Sequence, residues 1–126
     1  MDKLGDVVQR ILVIDDEKGI LDVVQSVLSR AGFKVEIALN GRKGIQKFDG
    51  GTFDLVITDI LMPEIDGIEV VKHIRNSDRP YTPIIGCSGT PWLLEEGEFD
   101  TVFLKPFPLT DLVHTVRHLS RPSGSN

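Results

Sequence analysis

The chain has 126 residues, a net charge of −5, and 40% hydrophobic and 26% charged residues, so it is long enough for one sizeable core but not for two. The acidic balance argues against a nucleic-acid surface, which needs a basic stripe, and no apolar run approaches a membrane span. The opening MDKLGDVVQR lacks the apolar centre of a signal peptide, and the single Cys87 excludes a disulfide framework or a cysteine zinc cluster and fits a reducing cytoplasm.

Arg10 to Asp16 reads ILVID with its flanks, a continuous apolar run of strand length that ends on Asp15 and Asp16. Apolar residues on both faces suit a central strand covered from each side. From Ile20 the period becomes helical, through Val23, Val24, Val27, Leu28 and Ala31, with Gly32 as the stop; Asp16 or Glu17 stands at the helix start, where negative charge is favoured. Residues 33–39 alternate apolar and polar, as a strand nearer the sheet edge does. Asn40 can cap a short helix holding Ile45 and Phe48 and ended by Gly50 and Gly51.

Leu55, Val56 and Ile57 then lead through Thr58 to a lone carboxylate, Asp59. Asp66 with Glu69 makes a capping box for a helix with Ile68, Val71 and Ile74 on its inner face. Residues 84–88, IIGCS, read as a fourth strand with a hydroxyl at its end. Thr90 and Pro91 open a weak, shortened fourth helix that Gly97 closes within two turns, with Glu95 and Glu96 opposing its dipole. Residues 102–104 make a fifth strand that delivers Lys105, and Leu109, Leu112, Val113, Val116 and Leu119 stripe the last helix. The tail RPSGSN is polar. Residues 1–126 are thus expected to be one domain with its core at about 10–119, an N-terminal extension and a polar tail.

Strands alternating with helices call for an α/β fold with a parallel sheet wound on both faces. Four of the strands end in polar groups, Asp15 with Asp16, Asp59, Ser88 and Lys105, and parallel strands bring those ends to one edge. Two carboxylates about 4 Å apart at an effective dielectric of about 20 repel by about 4 kcal/mol, enough to raise one pKa by roughly three. Lys105 offsets one charge only. A divalent ion with oxygen ligands, Mg²⁺ or Mn²⁺, is the natural remainder. A carboxylate beside such an ion, an ammonium and a hydroxyl is suited to a phosphoryl group, with Asp59 the best-placed nucleophile.

The acids in VIDDE, the carboxylate in TDILMPEIDG, the hydroxyl in PIIGCSG and the lysine in LKPF together resemble the receiver domain of two-component response regulators. The resemblance covers residues 10–119. It implies a five-stranded sheet of order 2-1-3-4-5 in a doubly wound (βα)5 fold. It also implies Asp59 as phosphoacceptor, Asp16 as direct Mg²⁺ ligand, Asp15 acting through water, and Leu61 lending a backbone carbonyl. Ser88 is the implied switch hydroxyl, Gly89 the small residue that leaves the phosphoryl group accessible, and Lys105 the phosphate-pairing lysine. Such a protein takes its phosphoryl group from a sensor histidine kinase or a histidine phosphotransfer protein, catalyses only its own phosphorylation and dephosphorylation, and alters its affinity for a downstream effector. The expected setting is the cytoplasm, with no nucleic acid or membrane bound by this chain and room for a weak homodimer.

Two features depart from the family pattern. Val102 stands where the family usually carries an aromatic residue, and the strand period turns the neighbouring Phe103 to the other face. The segment from Ser88 to Lys105 is also short by roughly a helical turn. Two other functions remain open on the sequence: a receiver-fold interaction module acting without phosphate, and a haloacid-dehalogenase-like phosphatase, for which Leu61 occupies the place of the required second aspartate. Cys87 reads as a buried apolar residue. Trp92 reads as either core cover or partner contact, and His73, His114 and His118 read as surface groups.

Overall fold

The computed structural model describes residues 8–90 and 98–120. Its elements run β1 (Arg10–Ile14), α1 (Lys18–Arg30), β2 (Lys34–Ala38), α2 (Gly41–Gly50), β3 (Leu55–Asp59), α3 (Gly67–Arg75), β4 (Ile84–Ser88), β5 (Thr101–Leu104) and α4 (Leu109–Leu119). The expected weak helix at Thr90–Gly97, with Trp92, falls largely outside the described residues, so α4 here is the last helix of the chain.

The five strands pair in parallel in the order β2-β1-β3-β4-β5. Every residue of β3 and β4 is buried, as central strands require. On one face α1 and α4 bring Leu21, Val24, Leu28, Leu112 and Val116 onto Ile11, Val13, Ile57 and Ile85. On the other, Phe48 of α2 and Val70, Val71 and Ile74 of α3 cover Leu12, Ile14, Val56 and Ile84. Each such fully buried side chain contributes roughly 1.5–3 kcal/mol.

The capping signals act as the sequence suggests. The Asn40 carboxamide oxygen accepts the Lys43 N–H at 2.8 Å, and Asp66 and Glu69 form a reciprocal box at the start of α3. At α1, Glu17 occupies the cap position without capping through its side chain; the Asp15 carboxylate accepts the Glu17 N–H instead, at 2.9 Å. The buried stripe of α1 also differs from expectation. It runs Leu21, Val24, Leu28, while Val23 is 49% exposed. Apolar residues on adjacent positions allow either phase, and the sheet selects the one with three-then-four spacing. Similarly, Val70 rather than Ile68 is fully buried on α3.

Three arginines close the ends of elements. Arg117 donates to the Ala31 carbonyl at the end of α1, and Arg79 donates to Phe48 and Gly51 carbonyls at the end of α2 while lying over the Phe48 ring. Arg75 ties the end of α3 to the Pro80 and Thr82 carbonyls and to Glu98 and Asp100 ahead of β5. Among the described residues, no helix is long and apolar enough to cross a membrane.

Candidate functional site

Register alone assembles the site. Ile14 pairs with Thr58, which sets Asp15 opposite Asp59; Asp59 pairs with Cys87, which sets Ser88 one position beyond; Ser88 pairs with Leu104, which sets Lys105 next. The ladder continues past the strand ends, with Lys105 N–H donating to the Ser88 carbonyl at 2.7 Å and Ile60 N–H to the Cys87 carbonyl at 2.9 Å. Gly67 lets the loop after β3 return to this edge, because a β-carbon there would overlap the Asp59 carbonyl oxygen.

Asp15, Asp16 and Asp59 each offer an oxygen, and these oxygens lie within 4.8 Å of one another. Asp15 and Asp59 are buried and Asp16 is exposed. The Lys105 ammonium sits 3.2 Å from both Asp15 and Asp59. Burial first, and then the Asp15 charge, push Asp59 up from 3.8 to about 6, against the pull of Lys105. Burial alone would lower Lys105, but Asp59 and Asp15 together raise it. The ammonium therefore stays charged, and it leaves the cluster short of positive charge.

The donor set fits a hard divalent ion. At a ligand distance of about 2.1 Å, two oxygens on opposite sides of one Mg²⁺ are about 4.2 Å apart, close to the spread observed here. Three carboxylates against one ammonium leave two negative charges, which one such ion balances. Among the described residues this is the one cluster of three potential ligands.

Around the cluster, Ser88 is buried, and its hydroxyl accepts the Thr90 N–H at 2.9 Å and donates to the Thr90 carbonyl at 3.2 Å. Gly89 is exposed, and open space surrounds the position a β-carbon would take. Leu61 lies in the loop after β3 with its side chain 58% exposed. Val102 is half-buried beside Gly86, while Phe103 turns to the α1–α4 face and packs on Phe107 with ring centroids 5.1 Å apart. Burial pushes the Cys87 thiol up to about 12, which keeps it an inert part of the core.

Some contacts were not foreseen. The hold of Thr90 on Ser88 was signalled by Ser-Gly-Thr, a hydroxyl two residues before an amide it can reach. His73 is a partly exposed group, as expected, and its Nε2 lies 2.7 Å from Asp49 across α2 and α3. The Arg75–Asp100 pair joins residues 25 positions apart, and neither it nor the packing of Phe99 against Gly86 has a local signature.

The chain belongs to the response regulator receiver domain family, whose model matches residues 11–117. It is 34% identical to the transcriptional regulatory protein TrcR of Mycobacterium tuberculosis over 91% of this chain and 46% of that protein. It is 37% identical to the uncharacterized transcriptional regulatory protein YrkP of Bacillus subtilis over 82% of this chain and 46% of that one. The chain thus spans about half the length of these curated relatives. Among solved structures, the response regulator TrrA of Thermotoga maritima, in complex with Mg²⁺ and BeF, superposes with a TM-score of 0.82 at 33% identity, covering 89% of this chain and 99% of that one. Receiver domains of this family are phosphoacceptor switches of two-component systems, not classical enzymes, and they bind Mg²⁺ at an acidic cluster.

Proposed function

We propose that Asp59 is the phosphoacceptor and that the strand-end cluster is the complete chemical site. The observation that carries this reading is the shared position of Lys105, 3.2 Å from each of two buried carboxylates that remain under-neutralised. Asp15, Asp16, Asp59 and the Leu61 carbonyl would hold Mg²⁺, which supplies positive charge to the phosphoryl oxygens. An Asp59 carboxylate oxygen attacks phosphorus, the bond from phosphorus to the donor histidine nitrogen breaks, and that nitrogen keeps the electron pair. Lys105 pairs with one phosphoryl oxygen. Ser88 donates its hydroxyl to another after leaving Thr90, and Gly89 leaves the approach open.

The donor is a sensor histidine kinase or a histidine phosphotransfer protein. A groove of about 450 Å³ beside Lys105, lined by Ile20, Val23, Pro106, Phe107 and Leu109, offers it an apolar seat contiguous with the site. The effector is a separate domain or protein, and the net charge of −5 argues against direct nucleic-acid binding by this chain. A phosphatase of outside esters is not favoured, because Leu61 provides no second acid beside Asp59.

Intact-mass spectrometry after incubation with a small phosphodonor and Mg²⁺ tests the assignment. One phosphate on the wild type and none on folded Asp59→Ala is the expected result. Phosphate retained by the variant overturns the assignment of Asp59.

A further inference from the structure

The face of the sheet on which Ser88 lies carries an aromatic ring, and it comes from outside β5. Gly86, two residues before Ser88 on the same strand face, has no side chain, and the Phe99 ring fills its place. A β-carbon on Gly86 would fall 2.8 Å from that ring and 3.2 Å from the δ-methyl of Ile60, the residue that follows Asp59. The Phe99 ring and the Ile60 side chain thus both border the space that a side chain at Gly86 would take. The backbone neighbours of Phe99 are fixed elsewhere. Arg75 donates to the Glu98 carbonyl at 2.9 Å and to the Asp100 carboxylate at 2.9 Å. The same Asp100 oxygen accepts the Ile84 N–H at 2.7 Å, and Asp100 N–H donates to the Ile84 carbonyl at 2.9 Å.

We infer that Phe99 is the coupling residue of this domain. It transmits displacement at Ser88 and Asp59 to the corner formed by Arg75, Tyr81 and Asp100, at the end of α3. The physical reason is close packing. A ring held against Gly86 cannot be passed by a moving end of β4 without moving itself. Its two neighbours are bonded to Arg75, so its motion is delivered to the end of α3 rather than absorbed locally. Val102, beside Gly86 in β5, has no ring with which to do this. This inference rests on the reading of Asp59 as the phosphoacceptor.

The chain has one tyrosine, and Tyr81 is 93% exposed at this corner, so a fluorotyrosine label gives a single reporter there. The first arm needs no phosphate. Ser88→Ala releases Thr90, and it should move the Tyr81 fluorine resonance and the Thr82 and Asp100 amide resonances. In a Phe99→Leu background those displacements should shrink by about threefold or more, the non-additivity expected of a coupled pair. Asp100→Asn, which keeps the ring but loosens its anchor, should reduce them as well and serves if Phe99→Leu does not fold. In the second arm, a small phosphodonor with Mg²⁺ should load wild type and Phe99→Leu equally by mass, yet move Tyr81 fully only in the wild type. Equal Tyr81 displacement with and without the Phe99 ring, or none in the wild type, overturns the coupling. Absence of phosphate on the wild type refutes the phosphoacceptor reading instead, and the first arm still decides the coupling.

Discussion

Two of the charged clusters at this sheet are built in opposite ways. At the corner before β5, Arg75 meets Pro80, Thr82, Glu98 and Asp100, and Asp100 also holds the Ile84 amide; the charges there are balanced and their hydrogen-bonding groups engaged. At the strand ends, Asp15, Asp16 and Asp59 face a single ammonium, and Asp59 is pushed up to about 6. The first arrangement holds a structure together. The second stores electrostatic repulsion that a bound divalent cation would relieve. Charge clusters in one small domain are thus told apart by whether they are satisfied, not by how many charges they contain.

The largest expected effect comes from removing the Asp59 carboxylate, the phosphoacceptor we propose. Asp59→Asn should abolish phosphate incorporation by intact mass, and it should also stabilise the metal-free protein, because the charge it removes is a strained one. The stabilisation should be on the order of 2 kcal/mol, read as a rise in Tm of several degrees. The corner should respond in the opposite sense. Arg75→Ala leaves Asp100 without its cation and the Pro80, Thr82 and Glu98 carbonyls without the guanidinium donor, and it should cost about 2–4 kcal/mol in chemical denaturation while phosphate incorporation persists.

The pH response separates the clusters further. Folding raises Asp59 from 3.8 to about 6, so between those values the folded protein keeps a proton that the unfolded chain has lost. The Asp59 contribution to metal-free stability should therefore fall as pH rises through that window and stay low above it, by on the order of 2 kcal/mol in all. Saturating Mg²⁺ should remove most of this dependence, and Asp59→Asn should lack it; thermal denaturation across pH values checks both. The smallest effect belongs to ordinary surface features. Asp66→Ala breaks the capping box of α3 and should cost about 1 kcal/mol with little change in phosphorylation rate.

The sequence exposed the strand-end site because every member is local punctuation. Each acid, hydroxyl or lysine directly ends an apolar run, and parallel pairing does the rest. Strand bounds followed for the same reason; residues 84–88 and 55–59 are both bordered by polar turns. The phase of α1 did not follow, because Ile20, Leu21, Val23 and Val24 allow more than one apolar stripe, and only the sheet chooses among them. Nor did the hold of Arg75 on Asp100 or the place of Phe99 against Gly86, since neither leaves any periodicity or spacing in the chain. The turn of Phe103 away from Val102 was legible, because strand alternation needs only two adjacent residues.

The most direct test of the strained strand-end cluster is the titration of the Asp59 side-chain carboxyl by carbon NMR, with and without Mg²⁺. The structure predicts a midpoint of about 6 in the metal-free protein and a clear drop when the ion is added. A midpoint near the ordinary 3.8 that Mg²⁺ leaves unchanged would contradict the account, since Asp59 would then be neither strained nor a ligand.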